Sequence, residues 1–282
     1  MMLISINNVS VKASQKEILK NISFNIDKGE VLSILGPNGS GKSTLIGIML
    51  EDFNSNTGSV EYFPSKKEVF GSIGIVYDNQ LIFPFLKIKE FIDYFASIYN
   101  IDAKAYNTYI DIFGLRKILT SLIKNLSQGE RTKLAILLAI FHNPALLVLD
   151  EPFSGIDPTI IEKIWNSIRR NRNTIAFTSH DWEMAAKVSD KVIFLYEGTM
   201  VCPAFDPKKF KEKLPSDKII VLPYSPIVEE NLNGFSYYVH NNSLVIFNSD
   251  KKVLNKVRGL TRNFSILDAT LKDVYFYLTY RK

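Results

Sequence analysis

The 282-residue chain has one cysteine, Cys202, and only three histidines and two tryptophans. A single cysteine excludes an intrachain disulfide and fits a reducing compartment. No segment approaches the ~18 uninterrupted apolar residues of a membrane-crossing helix, so no stretch is expected to span a bilayer by itself. The longest apolar runs, residues 134–141 and 146–149, suit a buried helix and a buried strand instead. The opening MMLISINNVSVK has no basic start followed by an apolar core, so no secretory signal is expected. Repeats and low-complexity tracts are absent too. A strong charge of one sign is also missing. Residues 1–205 carry 21 basic and 21 acidic side chains, and residues 206–282 carry 13 basic and 8 acidic. The small basic excess therefore falls in the tail, where it reads as a solvated face or as a surface held near anionic phospholipid or an acidic partner. Basic residues are not interleaved with aromatics, so no nucleic-acid partner is expected.

What is present is concentrated first in residues 36–44, GPNGSGKST. The segment fits G-x-x-x-x-G-K-[ST], in which each position has a physical task. Gly36, Gly39 and Gly41, with Pro37, Asn38 and Ser40 between them, let backbone N–H groups turn inward around a polyphosphate. Lys42 is placed to reach β and γ phosphates, and the Ser43 hydroxyl, followed by Thr44, to ligate Mg²⁺. The apolar run 31–35 predicts a buried strand before the loop. Residues 42–50 predict a helix after it, whose N-terminus favours anions.

Along the chain, 3–11 and 22–26 read as two short strands flanking a polar loop, and further strands are expected near 59–63 and 72–77. Segments 88–99, 102–113 and 116–123 show helical spacing of apolar residues, so a helical insertion over about 81–135 is expected between two halves of a sheet. Strands return at 145–149, 174–178 and 191–195, separated by helices near 159–170 and 181–188. That alternation argues for an α/β fold with a parallel sheet covered on both faces. After Pro203, with Pro207 and Pro215 marking a linker, a second small unit over 206–282 is expected. It contains a strand at 218–222, a hairpin of 235–240 and 243–247 joined by Asn241-Asn242, helices at 250–258 and 270–280, and a strand at 264–267.

Downstream of the loop, the apolar run 146–149 ends in Asp150-Glu151. A buried strand delivering an Asp at its carboxyl end is suited to holding Mg²⁺ beside a phosphate loop, and Glu151 would then face the γ-phosphate and polarise an attacking water. Leu126-Ser127-Gln128-Gly129-Glu130 precedes a helical run, with Ser127 as N-cap and Glu130 three residues on. His180 follows the strand 174–178.

In this order, residues 36–44, 126–130, 146–151, 154–157 and His180 closely resemble the nucleotide-binding subunit of ATP-binding cassette (ABC) transporters, over residues 1 to about 205. The resemblance implies a P-loop NTPase with a RecA-like core, an antiparallel β subdomain and an inserted helical subdomain, here with a small C-terminal α+β domain. It implies ATP and Mg²⁺ as cofactors, a second copy of the chain in a head-to-tail dimer, and an integral membrane permease as partner. The chain would then be peripheral on the cytoplasmic face of the membrane. Ser127, Gln128, Gly129 and Glu130 would bind nucleotide at the opposite site, with Ser127 and Gly129 on its γ-phosphate. His180 would contact the γ-phosphate and steady the water, and Asp157 would lie at the dimer contact.

Four positions depart from that family. Asp78 stands where a Gln is usual, with Gln80 two residues on as a stand-in, so Asp78 is a candidate metal ligand. Ala13 stands where an adenine-stacking aromatic is usual, and no aromatic occurs before Ile22. Gln128 and Glu130 replace the commoner Gly and Gln. Weaker ATP affinity is the expected result. The tail 265–276, SILDATLKDVYF, is similar to the terminal helix of exporter ATPases that pair with a separate type-two permease, near whose dock Phe83, Pro84 and Phe85 would lie. Two other readings stay open: a regulatory ATP-binding module with little hydrolysis, and a soluble ABC ATPase outside transport.

Overall fold

The computed structural model describes residues 1–77, 83–153, 155–170 and 173–280. Strand β1 (Met2–Ala13) pairs antiparallel with β2 (Lys16–Asp27), turning tightly at Ser14, which has φ 56°. These strands run through the polar residues expected to form a loop. Register shifts after Ile6 and Val9 break the alternation that would have announced them, and Asn8 and Asn21 both adopt positive φ there. The central strand β3 (Val31–Leu35) is wholly buried and leads through the glycine-rich loop into α1 (Lys42–Met49). Next, β4 (Thr57–Tyr62) returns to pair with β1, giving a three-stranded antiparallel sheet in the order β2-β1-β4. The short helix α2 (Lys66–Phe70), capped by Ser65, follows.

After β5 (Ile73–Val76) the chain turns helical, with α3 (Ile88–Ile98), α4 (Ala103–Ile112) and α5 (Gln128–Ile140). Buried Phe91, Ile92, Ile110, Phe113 and Leu115 tie this block into the core shared with the sheet. Then come β6 (Leu146–Leu149), α6 (Pro158–Arg170), β7 (Thr174–Ser179), α7 (Trp182–Val188), β8 (Lys191–Tyr196) and β9 (Thr199–Met200). The resulting six-stranded sheet has the order β5-β6-β7-β3-β8-β9, with β5 to β8 parallel and β9 antiparallel. Every residue of β3, β6 and β7 is buried, as a parallel sheet covered on both faces demands. Because β7 lies between β6 and β3, loops distant in sequence leave the sheet side by side at its carboxyl edge.

Residues 207–213, expected to be linker, form tight helical turns around the buried Pro207, and Phe210 and Leu214 pack inward. A four-stranded antiparallel sheet comes next, built from β10 (Lys218–Pro223), β11 (Tyr237–His240), β12 (Ser243–Ile246) and β13 (Ser265–Asp268) in the order β11-β12-β10-β13. Asn241 and Asn242, with φ 47° and 59°, make the β11–β12 turn, as the sequence predicts. Helices α8 (Pro226–Glu230) and α9 (Lys251–Leu260) cover one face of this sheet through Val228, Val253 and Val257. The other face, through Tyr238 and Phe247, meets the last helix, α10 (Leu271–Tyr280). That helix joins two cores: Leu271, Val274 and Tyr275 belong to the core of the six-stranded sheet, Phe276 and Tyr277 to that of the smaller one.

Candidate functional site

The loop between β3 and α1 is shaped by contacts that only glycine permits. A Cβ on Gly36 would lie 2.3 Å from the Leu195 carbonyl oxygen, so β8 closes against the loop's first residue. Gly41 has φ 104°, and a side chain there would meet Leu19 at 2.7 Å. Lys42 is 5% exposed although it carries a charge. Its ammonium donates to the carbonyls of Gly36 (3.0 Å) and Pro37 (3.2 Å) and stands 3.6 Å from Glu151 Oε1. Burial pushes the Lys42 pKa below the ordinary lysine value, and Glu151 and then Asp150 oppose that shift. Ser43 is exposed at the first turn of α1, and Thr44 half-buried beside it.

The carboxylates are set by sheet register. Leu149 pairs with Phe177, so Asp150 comes opposite Thr178. The Thr178 hydroxyl donates to Asp150 Oδ1 (2.6 Å) and accepts the Glu151 backbone N–H (2.8 Å). One β7 hydroxyl thus fixes both members of the acidic pair, one by its side chain and one by its backbone. Asp150 is 8% exposed, whereas the Glu151 side chain is 37% exposed and its backbone turns into the left-handed region at φ 47°. His180, one residue beyond β7, brings Nε2 to 2.7 Å from Glu151 Oε1. Glu151 therefore lies between Lys42 and His180, three segments more than a hundred residues apart in all.

A cleft of about 900 Å³ opens over Lys42 and Glu151, lined also by Asn38, Gly39, Gly41, Ser43 and Thr44, while His180 faces neighbouring cavities. The far end of the cleft is bounded by the β1–β2 hairpin through Lys12, Gln15, Lys16 and Lys20, and among the described residues no aromatic side chain lines it. Ala13 is exposed at that hairpin. Thr178 and the three hairpin lysines are not identifiable from sequence. Thr178 sits in a mainly apolar run that reads only as strand, and the lysines are divided between two strands whose register the bulges conceal.

Residues 127–130 do not line the cleft. They form a closed capping box at the start of α5: the Glu130 carboxylate accepts from the Ser127 N–H (2.9 Å) and hydroxyl (2.8 Å). Those bonds hold the Glu130 carboxyl below the usual carboxylate range. A Cβ on Gly129 would stand 2.7 Å from the Gly155 carbonyl, so the helix start, with Gln128 in its first turn, abuts the 155–157 turn. There Asp157 accepts from the Thr159 N–H (2.8 Å) and caps α6. Asp78, Gln80 and Ser154 lie outside the described residues. Among the described residues no group of three or more His, Cys, Asp or Glu is placed to hold a metal with protein ligands alone. No helix among them is long and apolar enough to cross a membrane.

The pattern of the family described as ABC transporter matches residues 19–154. A phosphonates import ATP-binding protein, PhnC, of Fusobacterium nucleatum is 33% identical over 70% of this chain and 90% of its own length. A probable metal transport system ATP-binding protein of Thermotoga maritima is 31% identical over 69% and 82%. The organic anion transporter ABCA8B of Mus musculus is 34% identical, but the chain spans only 12% of its length. Among solved structures, an ATP-binding subunit of an ABC transporter superposes with a TM-score of 0.67 at 21% identity, covering 75% of this chain and 92% of that one.

Proposed function

Because the chain belongs to the ABC transporter ATP-binding family, whose general activity is ATP hydrolysis, we propose that two copies close head to tail on ATP and drive a separate membrane permease. In this reading residues 1–205 are the ATPase unit and 206–282 an accessory unit. The chain sits at the cytoplasmic face of the membrane through its permease.

The observation that carries the reading is the position of Glu151 between Lys42 at 3.6 Å and His180 at 2.7 Å, over a cleft lined by the glycine-rich loop. Lys42 leaves this ion pair to meet the β and γ phosphates, freeing Glu151 to orient the attacking water. His180 then faces the γ-phosphate. Mg²⁺ fits the donors present: the Ser43 hydroxyl and the Asp150 carboxylate are hard oxygen ligands that would hold it, though too few to bind it without nucleotide. Bound there, it would neutralise charge on the β and γ oxygens. Ser127, Gln128, Gly129 and Glu130 lie away from this cleft, which suits their service to the other copy. Their capping box leaves the start of α5 as an ordered, positively polarised end. Asp157 meets the partner beside them.

Glu151→Gln keeps the hydrogen bonds of the side chain and removes its basicity. It is expected to bind ATP, to dimerise, and to lose at least about a thousandfold in turnover. Size-exclusion chromatography with ATP and a phosphate-release assay test this, and wild-type turnover would remove Glu151 from the role. Transport outward is inferred from the resemblance of the tail at 265–276. Purification from native membranes with a stoichiometric multi-span protein is the expected result, and recovery with ribosomes would overturn the transport reading. The aromatic-free far end of the cleft is the one observation that favours a module with little hydrolysis. Measurable turnover dependent on Glu151 would discard that alternative.

A further inference from the structure

His180 is held at both ends. The residue before it, Ser179, is the last of β7 and pairs with Leu35. Two residues after it, Trp182 begins α7, capped by Asp181, whose carboxylate accepts the Met184 N–H (2.9 Å). The imidazole itself meets Glu151, and Trp182 is the ring through which the backbone on the α7 side of His180 is packed. The Trp182 ring packs on Tyr275 of α10, with centroids 5.0 Å apart, and both rings meet Phe194 of β8 at 5.6 Å.

The opposite side of α10 is gripped by the smaller sheet. Phe276 stacks on Tyr238 at 4.4 Å and 13° between planes. The Tyr238 hydroxyl donates to Asp273 Oδ1 (3.0 Å), while Asp273 Oδ2 accepts from the Thr270 N–H (2.8 Å) and hydroxyl (2.6 Å). Asp273 is only 6% exposed, and Tyr238 equally so. A buried carboxylate must keep its donors, so the Tyr238 and Thr270 hydrogen bonds favour the position of α10 that satisfies Asp273. Cavities of about 720 and 580 Å³ flank the first turn of α10, and both are lined by His180, Trp182 and Lys272. Space is thus available on both sides of this contact, and the Tyr238–Asp273 bond together with ring stacking selects one position within it.

We infer that the C-terminal unit positions His180: the Tyr238–Asp273 bond sets α10, Tyr275 sets Trp182, and Trp182 sets the imidazole. The inference rests on the assignment of His180 to the γ-phosphate. Tyr238, Asp273, Tyr275 and Trp182 act as positioning residues, since they act through His180. The small unit is then part of the ATPase cycle. A partner or ligand that moved its sheet would change turnover without touching nucleotide.

Tyr238→Phe removes one hydroxyl and keeps the stacked ring. Its expected effect is a fall in kcat of about tenfold with the KM for ATP unchanged within about twofold. In a His180→Ala background the same change is expected to have no further effect. An equal fold-loss in both backgrounds, or a loss carried by KM, would overturn the inference while leaving His180 in its role. Wild-type kcat in His180→Ala alone would instead remove the reading beneath it. A second measurement does not depend on activity. Only two tryptophans occur, so Trp165→Phe leaves Trp182 as the single tryptophan, read by excitation at the red edge where tyrosine does not absorb. Adding Tyr238→Phe to this variant is expected to shift its emission, and an unchanged spectrum in folded protein would refute the linkage.

Discussion

The two ends of the cleft are built on opposite principles. At the phosphate end, a buried lysine is held by two backbone carbonyls, and an acidic pair is pinned by one threonine. At the hairpin end, Lys12, Gln15, Lys16 and Lys20 supply long flexible side chains and no ring on which a base could stack. Grip should therefore come from the triphosphate, with little contribution from the base. That ordering of the two ends can be tested by substitution.

The largest effect is expected at the rigid end. Lys42→Ala removes a desolvated charge from the phosphates and should weaken ATP binding at least about a hundredfold, roughly 3 kcal/mol, by isothermal titration. A change of less than tenfold would place the grip elsewhere. Next comes the hydroxyl that holds the acidic pair. Thr178→Val leaves the Asp150 carboxylate and the Glu151 N–H without their partner, with an expected cost of about 1–3 kcal/mol in stability and a fall in turnover. Thermal denaturation together with ATPase rates checks this, and unchanged values in both would show that register alone suffices. The smallest effect belongs to the soft end. Ala13→Tyr adds a ring to the exposed hairpin and should tighten ATP by about fivefold, near 1 kcal/mol. Tightening comparable to the loss in Lys42→Ala would break the contrast between the two ends.

The same contrast explains what is legible in the sequence. Residues 36–44, Asp150 and Glu151 can be read because phosphate chemistry restricts which residue types serve at which spacing. The order β6-β7-β3 brings Glu151 and His180 within 2.7 Å of each other. Mainly apolar runs announce β3, β6 and β7, since burial on both faces leaves few polar positions. The β1–β2 hairpin reads too short because its bulges and left-handed asparagines interrupt the period of two. Thr178 escapes notice because its function depends on which strand lies next to it, and strand order is not a local property. The stretch 207–213 misleads for a similar reason: its prolines mark turns, but only the position of Phe210 and Leu214 between the two sheets makes those turns a packed joint. α10 is legible as an amphipathic helix, whereas its membership of two cores is not.

The placement of β7 between β6 and β3 also has a consequence for how the protein is made. Lys42 and Glu151 leave the ribosome more than a hundred residues apart, and the strand that must lie between their own strands is synthesised last. Until residue 179 has emerged and β7 has inserted, Thr178 cannot anchor the acidic pair and His180 does not exist beside it. Assembly of this site is thus a late, non-local event in folding, paced by the pairing of distant parallel strands. A nascent chain halted before residue 174 would carry an intact glycine-rich loop and still lack a hydrolytic centre.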